Sequence, residues 1–385
     1  MTKKFNKFFD SIISSFRNSR LLSEEFDPEM GKNVTFSTDE LIEYVNRIIR
    51  RKNAGPKGLK GDNKKKTDYV KFPHLHSSIM KRVVIQTTDG VQVDLNKFRE
   101  IVTKRPEKLL KQNEKMKKSS TDDTIFFNTS LPALRGLVVD EGTGEFKIVN
   151  TCPSAAECLL KCYAKHGSYI LFPEVSMSYN RILNFLFNNS KGYEEKLIGE
   201  IKQVVKNLGN NKKAQIRWND SGDLLSKKYF DIVMRIVNAT PEAEHYIYTK
   251  EVAMIKAFSN PPNNVIFNFS FGGRKEQEKL IDREKDKYSQ IVDTENATKE
   301  PLLNEIIKNK YIARKDEKWV YNNIGATKKI ISTRFNLNVK KLLTVDELIK
   351  TPKGKNGEYN VIVLPGESDF PASRRDVRGT FLMIH

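Results

Sequence analysis

Cys152, Cys158 and Cys162 are the only cysteines in 385 residues, and all three fall within a window of eleven. An odd number of thiols so close together makes a poor disulfide framework, because one is left over and the loops are cramped. In a reducing compartment such a cluster points to metal. Pro153 turns the chain after Cys152. The spacing then predicts a helix over 155–164, on which Cys158 and Cys162, four apart, share a face. Two metal readings stand side by side. Three cysteines can hold three irons of a four-iron, four-sulfur (4Fe-4S) cluster and leave the fourth iron open to an exogenous ligand. Alternatively His166, a further four residues along, closes a tetrahedral Cys3His zinc site. Spacing alone does not choose between them.

Downstream, Gln215 to Asn219 reads as a strand that runs into Asp220, Ser221, Gly222 and Asp223, followed by a helix that Ser226 is placed to cap. Parallel α/β sheets and barrels bind ligands at the carboxyl ends of their strands, and this polar, glycine-containing turn suits a charged or hydroxylated small molecule. Capping alone does not require the whole run. The next strand finishes in Thr249, Lys250 and Glu251, and the one after it carries Asn268 and Ser270 before Gly272 and Gly273. Polar groups at successive strand ends therefore converge on one rim. His245, Trp218 and Tyr248, inside strands, read as core residues.

These groups need a frame to hold them. Candidate strands cover 124–128, 146–150, 215–219, 245–249, 265–271 and 361–364, with helices between them at 155–164, 173–187, 193–208, 227–238 and 251–258. Strands alternating with helices predict an α/β domain over 121–385 with a parallel sheet, partial-barrel-like rather than an open sheet. Residues 279–300, charged and poor in apolar positions, read as a surface insertion. Residues 302–348 return to helical character, and 380–385 read as a short tail.

The first third of the chain is different. Residues 1–120 carry 27 Lys and Arg against 15 Asp and Glu, so 27 − 15 = +12 of the total +19 lies there. A domain boundary is expected near 120. The basic amino-terminal region opens with amphipathic helices and a flexible basic linker over 50–68, and a hairpin over 81–95 follows. Arg50, Arg51, Lys52, Lys57, Lys60, Lys64, Lys65 and Lys66 in the linker are candidates for phosphate contacts. Such a balance, with a pI near 9.5, points to a polyanionic neighbour: nucleic acid first, an acidic protein second. No apolar run approaches the roughly 20 residues that span a bilayer, and the first residues lack a signal-peptide core, so a soluble cytoplasmic protein without membrane contact is expected.

The ordered motifs Asn128-Thr-Ser-Leu-Pro-Ala, Thr151-Cys-Pro, Cys162-Tyr-Ala-Lys-His-Gly-Ser-Tyr, Ile216-Arg-Trp-Asn-Asp-Ser-Gly-Asp-Leu and Thr240-Pro leading to Tyr248-Thr-Lys resemble the bacteriophage gene product 88 family over about residues 124–275. That resemblance implies a phage or mobile-element origin. The chain is also remotely similar to radical S-adenosylmethionine enzymes, although its cysteines are more widely spaced than is usual there. That likeness implies a cluster on Cys152, Cys158 and Cys162, an open iron that chelates S-adenosylmethionine, and an amine-binding turn at Ser221, Gly222 and Asp223. Thr249 and Lys250 would lie further round the rim, and a 5′-deoxyadenosyl radical would act on a nucleic acid or nucleotide. The rival is a non-enzymatic nucleic-acid-binding phage protein with a structural zinc, or a replication or packaging accessory protein.

Overall fold

A computed structural model describes residues 34–35, 84–87, 90–159, 162, 164, 173–292, 302–315, 318–364 and 368–383. In chain order its strands are Val34–Thr35 (β1), Val84–Thr87 (β2), Gly90–Val93 (β3), Thr124–Asn128 (β4), Arg135–Val139 (β5), Phe146–Asn150 (β6), Lys213–Trp218 (β7), Glu244–Thr249 (β8), Val265–Ser270 (β9), Tyr288–Val292 (β10), Ile312–Lys315 (β11), Lys318–Tyr321 (β12), Leu342–Leu343 (β13), Tyr359–Leu364 (β14) and Val377–Met383 (β15). Its helices are Leu95–Thr103 (α1), Glu114–Ser119 (α2), Pro173–Asn188 (α3), Ser190–Leu208 (α4), Lys227–Ala239 (α5), Val252–Lys256 (α6), Lys275–Glu278 (α7), Leu302–Lys308 (α8), Ile324–Phe335 (α9) and Val345–Lys350 (α10).

Eight strands form one sheet in the order β13-β14-β15-β10-β9-β8-β7-β4, and every neighbouring pair is parallel. Parallel neighbours need crossovers, and helices supply several of them. Among the described residues β4 and β13 do not pair, so the sheet is not closed into a barrel. One face is apolar and covered by helices. Ile216, Trp218, Ile247 and Val265 meet the buried stripe of α5, from Tyr229 and Phe230 to Ile236 and Val237, in one core. Tyr193, Leu197 and Ile201, four apart on α4, join it. His245 is fully buried on the same face. It accepts a hydrogen bond at Nδ1 from Trp218 Nε1 (3.1 Å) and lies 3.0 Å from Thr240 Oγ1, the structural role expected of it.

The other face is more polar. Asn128, Arg217, Tyr246 and Ile266 occupy one register level on neighbouring strands, Tyr248 and Asn268 the next. This face is filled by a 3-10 turn, Phe370–Ser373, whose Phe370 and Ala372 pack with Met116, Phe126, Tyr246 and Ile362. Residues on both sides of position 120 share one core, since Leu109 and Leu110 are buried with Ile216 and Trp218.

Several elements differ from expectation. The segment 146–150 is a strand, but it lies in a separate antiparallel sheet, β1-β6-β5. The supposed insertion at 279–300 contains β10, and the supposed tail belongs to β15, two adjacent strands in the interior of the main sheet. The helical stretch 302–348 is broken by the antiparallel hairpin β11–β12. The hairpin expected at 81–95 is present as β2–β3. Where a helix was expected over 155–164, the described residues hold a 3-10 turn at Glu157–Leu159, and Ala164 is again in 3-10 conformation. The reason is competition for backbone donors: the amides of Ala156 and Cys158 donate to Gly272 O (3.3 and 2.9 Å), and Ala155 bridges Gly273. His166 and the basic residues Arg50, Arg51, Lys52, Lys57, Lys60, Lys64, Lys65 and Lys66 lie outside the described residues.

Candidate functional site

The cysteine loop lies across the carboxyl ends of β7, β8 and β9. At β7, Asp223 N donates to Thr151 O (2.7 Å). At β8, Ser154 N donates to Glu251 Oε1 (2.9 Å). Beyond β9, Gly272 O receives the two amides just described, and Arg274 N returns a bond to Ser154 O (2.9 Å). Gly272 and Gly273 are held in turn by Glu278 Oε1, which accepts from both of their amides (2.6 and 3.0 Å). Gly272 adopts φ +92°, and a Cβ there would stand 3.4 Å from both the Cβ and the N of Cys158. The backbone approaches the cysteine turn closely because this position has no side chain.

None of the three cysteines is in a disulfide, and all are half-buried. Leu134 N donates to Cys152 Sγ (3.3 Å). Burial pushes the Cys152 thiol well above the usual range, and the neighbouring Asp223, Cys162 and Cys158 push it further. Lys250 sits among the same groups. Burial works against its charge, but Cys158, Asp223, Cys152 and Cys162 outweigh it and hold the ammonium above the ordinary lysine value. Its Nζ donates to Ser270 Oγ (3.4 Å), and its backbone N to Asp223 Oδ2 (3.0 Å). Glu251 is pushed up to about 7, first by burial and then by Asp223. The three thiols, one cation and two carboxylates thus gather at one end of the sheet. Among the described residues no three His, Cys, Asp or Glu side chains stand as a group that could hold one metal ion.

The other residues singled out in the sequence have different surroundings. Asp220 turns toward the β4 side, where its oxygens accept from Asn113 Nδ2 (2.7 Å), Asn128 Nδ2 (2.9 Å) and Ser130 Oγ. Burial raises its pKa against the pull of Arg217 and Lys115. Ser221 Oγ donates to Leu131 O, and Gly222, at φ +78°, lies against Leu131 and Pro132. Thr249 Oγ1 accepts from Glu251 N (3.0 Å), fixing the turn into α6. Asn268 Nδ2 donates to Ala372 O (3.2 Å) on the filled face.

Sequence reasoning did not find the pair of cations on the buried Asp369. Arg217 Nη1 and Lys115 Nζ both reach it, the latter at 3.1 Å, and Tyr246 OH donates to it at 3.3 Å. Arg217 and Lys115 hold this carboxylate below its ordinary value although burial works the other way. Asp369 stands in an irregular stretch with no periodicity, so its sequence context carried no signal.

The family model described as Gene product 88 matches residues 107–338. Neither the curated proteins nor the solved structures hold a match to the chain. Among the described residues no helix is long and apolar enough to cross a membrane.

Proposed function

The chain belongs to the phage gene product 88 family, and from that premise we propose that it is an iron-sulfur enzyme of the radical S-adenosylmethionine type, with Cys152, Cys158 and Cys162 as the cluster ligands. One observation carries the reading: three thiols outside any disulfide and Lys250 meet at the carboxyl ends of β7, β8 and β9 in a parallel sheet that, among the described residues, does not close. That is where sheets of this kind bind their ligands.

The donor set fits. Thiolates are the ligands iron-sulfur clusters take, and a cluster gives each thiol its own iron, so it asks for wider spacing than one shared zinc. The thiols here are coupled electrostatically without forming a single-ion group. When bound, the cluster supplies the electron for reductive cleavage of S-adenosylmethionine. The chain's own residues do the rest. Lys250 offsets the negative charge of three thiolates and, with Asp223 and Glu251, offers the two signs of charge that an aminocarboxylate needs. The loop from Pro153 to Cys158 is held against the strand ends by Glu251 and Gly272. The substrate side of the reading, a nucleic acid or nucleotide, rests on the +12 carried by residues 1–120.

Anaerobic purification with metal and sulfide analysis tests the reading. Roughly four irons per chain, with visible colour bleached by reductant and lost in Cys158→Ala, is the expected result. One zinc per chain and no colour would overturn it in favour of a structural staple.

A further inference from the structure

We propose that residues 302–341 form a nucleic-acid-binding surface of their own, distinct from the basic amino-terminal region. Charge locates it. Outside residues 1–120 the chain carries 19 − 12 = +7, and residues 302–341 alone hold ten Lys and Arg against three Asp and Glu, 10 − 3 = +7. The whole remaining excess therefore falls in one stretch of the crossover between β10 and β13.

The stretch is a firmly seated unit. Leu302, Ile306, Ile312, Ile331, Leu337 and Val339 are buried in the main core, so its polar side is presented from a fixed base. Trp319 and Tyr321 also pack against that core, which assigns them to anchoring the hairpin rather than to stacking on bases. On the outer side, Lys315 and Lys318 face each other across β11 and β12. Like charges in directly opposed positions destabilise a hairpin, so this pair works against folding stability. Asn322 Nδ2 donates to Lys310 O (2.9 Å), and Tyr311 O accepts the amides of Asn322 and Asn323, which brings Lys310 beside the start of α9. That helix has no acidic residue in its first turn, and Gly325 there is exposed. Asn323 Oδ1 caps that end by accepting from Ala326 N (2.9 Å), so the positive charge offered there is that of Lys310 and not of the helix end. Lys328 Nζ donates to Lys340 O (2.8 Å) and ties the last basic pair to the same helix.

Most of these cations are not spent on neighbours. Arg334 pairs with Glu305 and Lys341 with Glu358. Lys308, Lys310, Lys315, Lys318, Lys329 and Lys340 are exposed, and none of them has an acidic partner among the described residues. Exposed lysines on a buried base fit the regularly charged backbone of a nucleic acid. Binding is then independent of sequence and steeply dependent on salt.

The test uses the full chain and fluorescent duplex DNA, duplex RNA, single-stranded DNA and, separately, polyglutamate. In Lys315→Gln/Lys318→Gln/Lys329→Gln, affinity for at least one nucleic acid should fall about tenfold at physiological salt, and the slope of log affinity against log salt should shrink by two to three. These are surface changes that relieve the Lys315–Lys318 repulsion, and a melting temperature no lower than the wild type's verifies that the variant is folded. Equal affinity and slope in the variant would overturn the proposal, as would a loss confined to Arg51→Gln/Lys52→Gln/Lys57→Gln. An equal loss on polyglutamate would assign the surface to an acidic protein and overturn it too. Metal and sulfide are measured on the same preparations, so failure here and failure of the cluster reading are read out separately.

Discussion

Lys115 Nζ lies 3.1 Å from Asp369 Oδ1, and through this contact α2, which precedes the first strand of the main sheet, is tied to the turn that precedes its last. Arg217 of β7 meets the same carboxylate from the sheet. Asp369 and Arg217 are almost wholly buried. A buried carboxylate facing two cations is costly to remove, because the cations lose its charge in a site that water reaches poorly. Asp369→Ala should therefore destabilise the chain by about 3–5 kcal/mol. Asp369→Asn should cost less, since it keeps the shape and an acceptor for one donor. Chemical denaturation of both variants measures the difference, and a loss below about 1 kcal/mol in Asp369→Ala would show the network to be dispensable.

His245 makes the fold sensitive to acid. Burial lowers its pKa from 6.5 to about 3, so the folded chain keeps it neutral while the unfolded chain protonates it. The stability this provides is complete above about pH 6.5 and is lost as pH falls toward 3, on the order of 4 kcal/mol in all. His245→Asn should be less stable at pH 7, because the bonds to Trp218 and Thr240 are rearranged. Its melting temperature should nevertheless fall less steeply than the wild type's between pH 6 and 4. Parallel curves for the two proteins would remove His245 as the cause.

Glu251 acts in the opposite sense. Its pKa is raised to about 7, so its contribution is complete below about pH 4.5 and is lost as pH rises through 7. Glu251→Gln retains an acceptor for Ser154 N and removes the charge beside Asp223. The variant should gain stability over the wild type as pH increases from 5 to 8, by on the order of 3 kcal/mol at most. Taking the difference between the two proteins cancels the His245 contribution. A difference that does not change with pH would mean that Glu251 is ionised throughout.

The parts of this molecule that were legible in the sequence are those where local pattern and tertiary role agree. β4, β7, β8 and β9 are short apolar-rich runs, each followed by a polar turn, and ligand-bearing turns belong at such ends, so Asp223 and Lys250 could be assigned to one rim, to which only the likeness to radical S-adenosylmethionine enzymes joined the cysteines. β10 was hidden because Asp282 to Lys287, just before it, is almost entirely charged, although Tyr288 itself is buried against Phe271 and Phe381. β15 follows Arg374, Arg375 and Asp376 and contains Arg378, which masks Val377, Phe381 and Leu382 in the same way. The cysteine segment has helical spacing, yet its amides are claimed by Gly272, a partner more than a hundred residues away that no local pattern discloses. Asp369 is the same case for charge.

Gly272 offers the sharpest test of how the cysteine turn is held. Its φ of +92° lies in the region that L side chains rarely adopt, so Gly272→Ala strains the backbone by about 1–2 kcal/mol even before contacts are considered. A methyl group there would also stand 3.4 Å from Cys158 Cβ and Cys158 N, so relief of the strain moves the very turn that Gly272 O anchors through two hydrogen bonds. The main core is remote from this change in kind, since Gly272 belongs to a rim loop and not to a strand. Gly272→Ala should therefore keep a cooperative melting transition within a few degrees of the wild type. Alkylation of Cys158 in the metal-free protein should become faster, and, on the cluster reading proposed above, iron retained per chain after anaerobic reconstitution should fall by half or more. Full iron retention with unchanged alkylation would mean that the turn is held by its contacts to Glu251 and Arg274 instead.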